Sequence, residues 1–172
     1  MGLRTLLHFA MFTPEQALTL STLLIQQPVA SLGTIHGDEP FVSMVPVVLL
    51  RQPMGFVVHV SRLATHTKDM LERPAVSLML TAVQPPDGMV QALARATFQC
   101  RAEPVLAESL HGEAARSAYL QRFPNSEPMF GFADFSLFLL RPRVLRWVGG
   151  FGKATTVMAD ELARVLDAGM TA

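Results

Sequence analysis

Charge is scarce in this sequence. Lysine, arginine, aspartate and glutamate make up 16% of the 172 residues, against about 25% in an ordinary globular chain. The formal net charge is zero, so no excess of positive charge exists to attract nucleic acid or an anionic membrane. Cysteine is nearly absent. Cys100 stands alone, no intrachain disulfide can form, and a reducing interior, the cytoplasm, is the expected compartment. No apolar run approaches the roughly 20 residues needed to span a bilayer, the most conspicuous being Met44 to Leu50. At the amino end His8 interrupts the apolar residues, no small-residue cleavage site follows, and Leu6 stands where a myristoylation signal wants serine or threonine. Apolar residues are plentiful at 50%. A domain this poor in charge is expected to hide surface in an oligomer.

The length suits one domain, 1–172, with a core over about 14–155. Thr13-Pro14-Glu15-Gln16 reads as an N-cap, a proline in the first turn and a capping-box glutamine, opening a helix that ends near Gln27-Pro28. Val29 to His36 and Phe41 to Leu50 form a hairpin about Gly37-Asp38-Glu39-Pro40. Phe56 to Val60 is the next strand, Thr65 to Glu72 a helix closed by Pro74, and Ala75 to Thr81 a further strand. Gln84 to Gly88 is an exposed loop. A long strand over Ala92 to Ala102 precedes an amphipathic helix, Glu108 to Gln121, with Leu110, Ala114, Ala118 and Leu120 as its apolar members. Two more strands, Phe135 to Leu140 and Val144 to Val148, flank Arg141-Pro142-Arg143, and the final helix runs from about Ala159 to Ala168. Strands joined by short turns, without regular strand-helix alternation, predict a mainly β fold: a six- to seven-stranded antiparallel barrel with helices outside.

The most informative stretch runs from Gly55 to Leu80. An apolar strand ends at Ser61, and a turn rich in hydroxyls and cations opens a helix with Thr65, His66, Thr67 and Lys68. The first N–H groups of a helix lack intrahelical partners and carry the positive end of its dipole, so a phosphate is well placed there. Hydroxyls, an imidazole and an ammonium are the side chains such a group wants. The plainer reading makes Thr65 an N-cap and Lys68 a solvated surface charge.

Other polar residues carry less. His59 and His66 lack a third ligand at metal-binding spacing, so no metal site is expected. His36 reads as a turn residue, and His8 and His111 as surface residues. Cys100, inside a strand, reads as a buried inert thiol. The scattered methionines read as core filler. Gly150-Phe151-Gly152 lacks the following helix of a dinucleotide fingerprint and reads as a turn.

Three stretches together resemble the pyridoxamine 5′-phosphate oxidase-like, FMN-binding split-barrel superfamily, and within it the haem-utilisation (HugZ-type) branch. They are Phe41-Val42-Ser43-Met44-Val45-Pro46, the run from Val60 through Met70 with Pro74 and Val76 after it, and Val148-Gly149-Gly150-Phe151-Gly152-Lys153-Ala154. The resemblance spans roughly residues 20 to 155. It implies a homodimer with FMN at the subunit interface. Ser43, Met44, Val45 and Pro46 would lie along the isoalloxazine ring, His59, Val60 and Ser61 along the ribityl chain, and Thr65, His66, Thr67 and Lys68 around the phosphate. Gly150, Phe151 and Gly152 would come close to the flavin, where a larger side chain would be in the way. The oxidase proper has an arginine and a lysine about where Thr65 and His66 stand, and its substrate-binding arginine and histidine have no counterpart near the carboxyl end, so vitamin B6 oxidation is not implied.

The resemblance thus implies an FMN-dependent oxidoreductase acting on haem or another planar small molecule, with Phe130, Phe132 and Phe151 as apolar walls and no catalytic side chain assigned. The haem-utilisation branch carries a further carboxy-terminal segment that helps to bind haem, and here the sequence stops soon after Gly152. The alternatives are a non-catalytic FMN module for storage or redox sensing, and a split-barrel scaffold without flavin.

Overall fold

The computed structural model describes residues 12–152 and 154–168; His8 and Lys153 lie outside them. Helix α1 (Pro14–Gln26) starts with the expected capping box, in which Thr13 and Gln16 exchange side-chain and backbone hydrogen bonds. Strands β1 (Val29–His36) and β2 (Glu39–Pro46) form a hairpin, turned at Gly37 with φ +61°. The chain continues through β3 (Val48–Arg51), β4 (Met54–Ser61), α2 (Thr65–Glu72) and β5 (Ala75–Thr81). After a 3-10 turn at Val90–Ala92 come β6 (Arg95–Pro104), α3 (Leu110–Arg122), a second 3-10 segment (Pro124–Gly131), β7 (Phe135–Val148), β8 (Ala154–Met158) and α4 (Ala159–Ala168).

Among the described residues all eight strands belong to one antiparallel sheet in the order β2-β1-β5-β6-β7-β4-β3, with β8 added to β7. The two ends of that path, β2 and β3, are neighbours along the chain, joined through Val47. The sheet therefore rolls round into a split barrel. Leu32, Val58, Leu78, Phe98, Leu140, Leu145 and Trp147 fill its interior, and Leu20 and Leu24 of α1 with Leu162 and Leu166 of α4 extend that core. A second apolar layer, Val57, Leu137 and Leu139, lies under Ala115 and Tyr119 of α3.

Five expectations need correction. Phe41 to Leu50 is two strands: the β1–β2 ladder runs to Val29 and Pro46 and is closed by the Val47 N–H bonding the Pro28 carbonyl at 3.0 Å, after which Val48–Arg51 pairs with β4 instead. Phe135 to Val148 is one strand: Pro142 sits opposite Cys100, where the register between Gln99 and Cys100 shifts, so the missing N–H falls at an irregularity. The long β6 begins only at Arg95, after the 3-10 turn, and β8 adds a strand beyond those expected. On α3 the buried face is Gly112, Ala115 and Tyr119, while Leu110 is exposed. No helix among the described residues is long and apolar enough to cross a membrane.

Candidate functional site

β4 is buried from Gly55 to Val60, and the chain then turns sharply. The Ser61 hydroxyl donates to Asp134 Oδ2 at 2.5 Å and accepts from the Leu63 N–H at 3.1 Å. The Arg62 N–H donates to the Asp134 carbonyl at 2.7 Å, and its guanidinium donates to the Ala133 carbonyl. These bonds fix the turn against the start of β7. The N-cap of α2 is Ala64, which offers no side-chain cap. Thr65 is already helical, so it does not cap. The N–H groups of Thr67 and Lys68 reach the Ala64 carbonyl at 3.2 and 3.3 Å, while those of Thr65 and His66 take no acceptor among the described residues. Uncapped donors at a helix start suit an anion.

One turn further, Asp69 is 3% exposed. Its carboxylate accepts from the Thr34 hydroxyl at 2.7 Å, and Nδ1 of His36 lies 2.8 Å from its other oxygen. Burial works to raise this carboxyl; the bonds from His36 and Thr34, with the charges of His36 and His66, outweigh burial and hold it below the ordinary carboxylate range. Two strand residues thereby pin α2 across β1. His36 is accordingly a partner for Asp69 as well as the last residue before the turn.

Around this pinned helix start, buried polar atoms go unsatisfied. Among the described residues Ser43 Oγ, His66 Nε2 and Thr67 Oγ1 are enclosed without a partner, and each such atom costs about 1–3 kcal/mol. Burial lowers the His66 imidazole, an effect the Asp69 charge offsets only in part. Lys68 is exposed beside them. On β2, Val45 points inward and is 1% exposed while Met44 is 66% exposed, with Ser43 and Pro46 half-buried. As the end strand of the path, β2 pairs among the described residues only with β1, which leaves its other backbone edge outside the ladder.

The remaining predicted residues fall elsewhere. The His59 ring is stacked on Phe130 at 3.9 Å and 9°, with Tyr119 at 5.6 Å and Phe135 at 5.1 Å. This burial pushes its pKa from the ordinary 6.5 to about 4. Val60 is a core residue. Gly150 and Gly152 adopt φ +153° and +71°, conformations that favour glycine, and Phe151 between them is 74% exposed. Phe130 and Phe132 gather near Phe135, whereas Phe151 lines a groove with Arg95 and Arg146, so the three phenylalanines do not form one wall. Cys100 is buried, its thiol pushed up to about 12. Among the described residues no group of three or more histidine, cysteine or acidic side chains is placed to hold a metal. Sequence reading missed Asp69, Thr34 and Asp134, whose pairings join residues brought together only by the fold.

Comparison with known proteins agrees with this fold. The family described as CREG, beta-barrel matches residues 13–163. The chloroplastic non-canonical haem oxygenase HOZ of Arabidopsis thaliana is 37% identical over 98 residues, covering 57% of this chain but 28% of that protein. Haem oxygenase HutZ of Vibrio cholerae is 30% identical over 133 residues, 76% of this chain and 74% of its own; its crystal structure, described as that of a haem storage protein, has a TM-score of 0.70 at 25% identity and covers 81% and 96% of the two chains. The structure of a haem binding protein from Mycobacterium smegmatis has a TM-score of 0.77 at 28% identity, over 86% of this chain and 60% of that one. The chain thus spans about a quarter of the plant relative and three-fifths of the mycobacterial one.

Proposed function

Because the chain belongs to the CREG β-barrel family, a split-barrel fold of the pyridoxamine-phosphate-oxidase-like kind, we propose that it binds FMN as an oxidoreductase whose second substrate is haem or a similar planar molecule. The observation that carries the FMN assignment is the set of buried, unpartnered polar atoms at Ser43, His66 and Thr67. They fall in the two segments expected to hold the ring and the phosphate, and α2 packs against β1 and β2. The donor set fits a phosphate monoester: free N–H groups of Thr65 and His66, the Thr67 hydroxyl and the Lys68 ammonium.

In this reading Ser61 braces the turn through Asp134, and the free edge of β2 at Ser43 to Pro46 offers backbone groups to the polar edge of the ring. The backbone of β4 from His59 to Ser61 runs toward the ribityl chain, while the His59 ring stays in its aromatic cage. Gly150, Phe151 and Gly152 would complete the flavin surroundings from the partner subunit. When bound, FMN supplies the electron transfer, and the chain supplies position, hydrogen bonds and exclusion of water. The homodimer is supported by the outer sheet face, where Val42, Met44, Met79 and Met158 are exposed together. Haem as substrate is supported by the oxygenase relatives.

Binding without turnover is the second reading, favoured by the haem-storage description of the HutZ structure. Turnover with a nicotinamide donor and haem separates the two: consumption of haem supports the oxidoreductase, and stable binding without consumption supports storage. The FMN site itself is tested by the double variant His66→Ala, Lys68→Ala. Loss of both should weaken FMN binding by about 2 kcal/mol or more, charge-assisted hydrogen bonds being worth about 1.5–3 kcal/mol each. Unchanged affinity in a fluorescence titration refutes the assignment.

A further inference from the structure

The α2 junction sets a buried negative charge beside an imidazole. Burial opposes the charge on Asp69, yet the bonds from His36 at 2.8 Å and Thr34 at 2.7 Å keep it ionised at neutral pH. His66 stands three residues earlier on the same helix, a spacing that makes the two side chains neighbours. Burial disfavours its imidazolium form, and the Asp69 charge offsets that only in part. In the chain alone the ring is therefore neutral near pH 7.

An anion at this helix start meets Asp69 within one turn, so the junction needs a cation. Helix α2 packs against β1, β2 and β6. On those strands His36 is bound to Asp69, Glu39 and Arg101 are exposed and Cys100 is buried. Glu103 takes Arg141 at 2.5 Å, and Arg95 donates to the Leu93 carbonyl at 3.0 Å. Arg62, in the turn before the helix, donates to the Ala133 carbonyl, and Arg73, after it, pairs with Asp38 at 3.2 Å and lies 3.7 Å from Glu72. Lys68 is exposed, and no lysine or arginine among the described residues is buried. Among these groups Asp69 is the charge that acts on His66. The buried polar atoms at the site, His66 Nε2 and Oγ1 of Thr67, which is 0% exposed, have no partner among the described residues. Of the enclosed groups, His66 alone can become a cation.

We infer that a phosphate group at the start of α2 binds together with one proton, taken up from solvent by His66, whose imidazolium then answers both the ligand's charge and the Asp69 carboxylate. The inference rests on the FMN reading of this site and adds that pH regulates its affinity. Ligand and proton help each other reciprocally, because each raises the affinity for the other. The bound ring keeps its proton to higher pH than the free ring. Between the two values the complex holds one proton more than its separate components, so affinity declines as pH rises, by up to about tenfold per pH unit.

Isothermal titration calorimetry of the full chain with FMN, in two buffers of different ionisation enthalpy, counts the proton. At about pH 7.5 a phosphate monoester is already a dianion, its second pKa being about 6, and about one proton should be taken up per FMN. Ring nitrogen NMR shifts, with His66 assigned by its missing signal in His66→Gln, should move to imidazolium values when FMN is added. Asp69→Asn keeps an acceptor and removes the charge, so the bound ring should lose its proton at lower pH than in the unmodified chain. FMN binding without proton uptake, a His66 ring that stays neutral in the complex, or a bound ring indifferent to Asp69→Asn overturns the inference and leaves the flavin reading standing. No FMN binding by the unmodified chain overturns both.

Discussion

His59 and His66 flank the same turn, and burial lowers both imidazoles, yet their surroundings differ in kind. His59 sits in an aromatic cage of Phe130, Tyr119 and Phe135. His66 starts a helix pinned through Asp69, with its Nε2 buried and unpartnered and Thr67 Oγ1 in the same condition beside it. A depressed pKa is common to packing and to function. What separates the two regions is accounting for polar groups: the cage is an apolar environment that keeps a neutral ring, whereas the junction carries donors that nothing in the described chain satisfies.

The largest effect is expected from breaking the pin. Asp69→Ala removes the acceptor for Thr34 and His36 and should cost about 3 kcal/mol in urea denaturation, charged hydrogen bonds being worth about 1.5–3 kcal/mol each. Asp69→Asn, which keeps an acceptor, should recover part of it. Because the folded carboxyl is held below its ordinary 3.8, its contribution is present above that pH and fades as pH falls through the lower folded value.

A smaller effect should come from His59. Folded His59 stays neutral down to about pH 4, while in the unfolded chain it takes up a proton near 6.5. The unfolded state therefore binds more protons between those values, and stability should decline as pH falls from about 6.5 to about 4. His59→Phe should flatten that part of the profile and leave FMN affinity unchanged. A variant that retains the full slope would move the acid sensitivity elsewhere, and one that loses FMN would bring the cage into the site.

The contrast also marks what sequence could tell. α2 at Thr65–Glu72 and β5 at Ala75–Thr81 were legible because local signals sufficed: an apolar run, a polar turn, a helix and a closing Pro74. The anion site was suggested by the same local cluster. The break between β2 and β3 was not legible, since Met44 to Leu50 is uniformly apolar and the interruption depends on a change of pairing partner, from β1 up to Pro46 to β4 from Val48. Pro142 suggested a strand end because its tolerance depends on the shifted register opposite Gln99 and Cys100. The His59 cage and the Asp69 pin likewise depend on Tyr119, Phe130, Thr34 and His36, residues brought close only by the fold.

The smallest effect sharpens the division within the junction. Ser61→Ala loses the bonds to Asp134 and Leu63 and should reduce stability by about 1 kcal/mol, with FMN affinity nearly retained. A loss of affinity as large as that of the His66 and Lys68 double variant would make Ser61 a phosphate ligand rather than a brace.

The most direct test of the flavin site is the visible absorption spectrum of the purified full chain after addition of FMN and removal of the excess. Retention of flavin bands at a stoichiometric level is the predicted result. A colourless protein would contradict the account and leave a split-barrel scaffold without flavin.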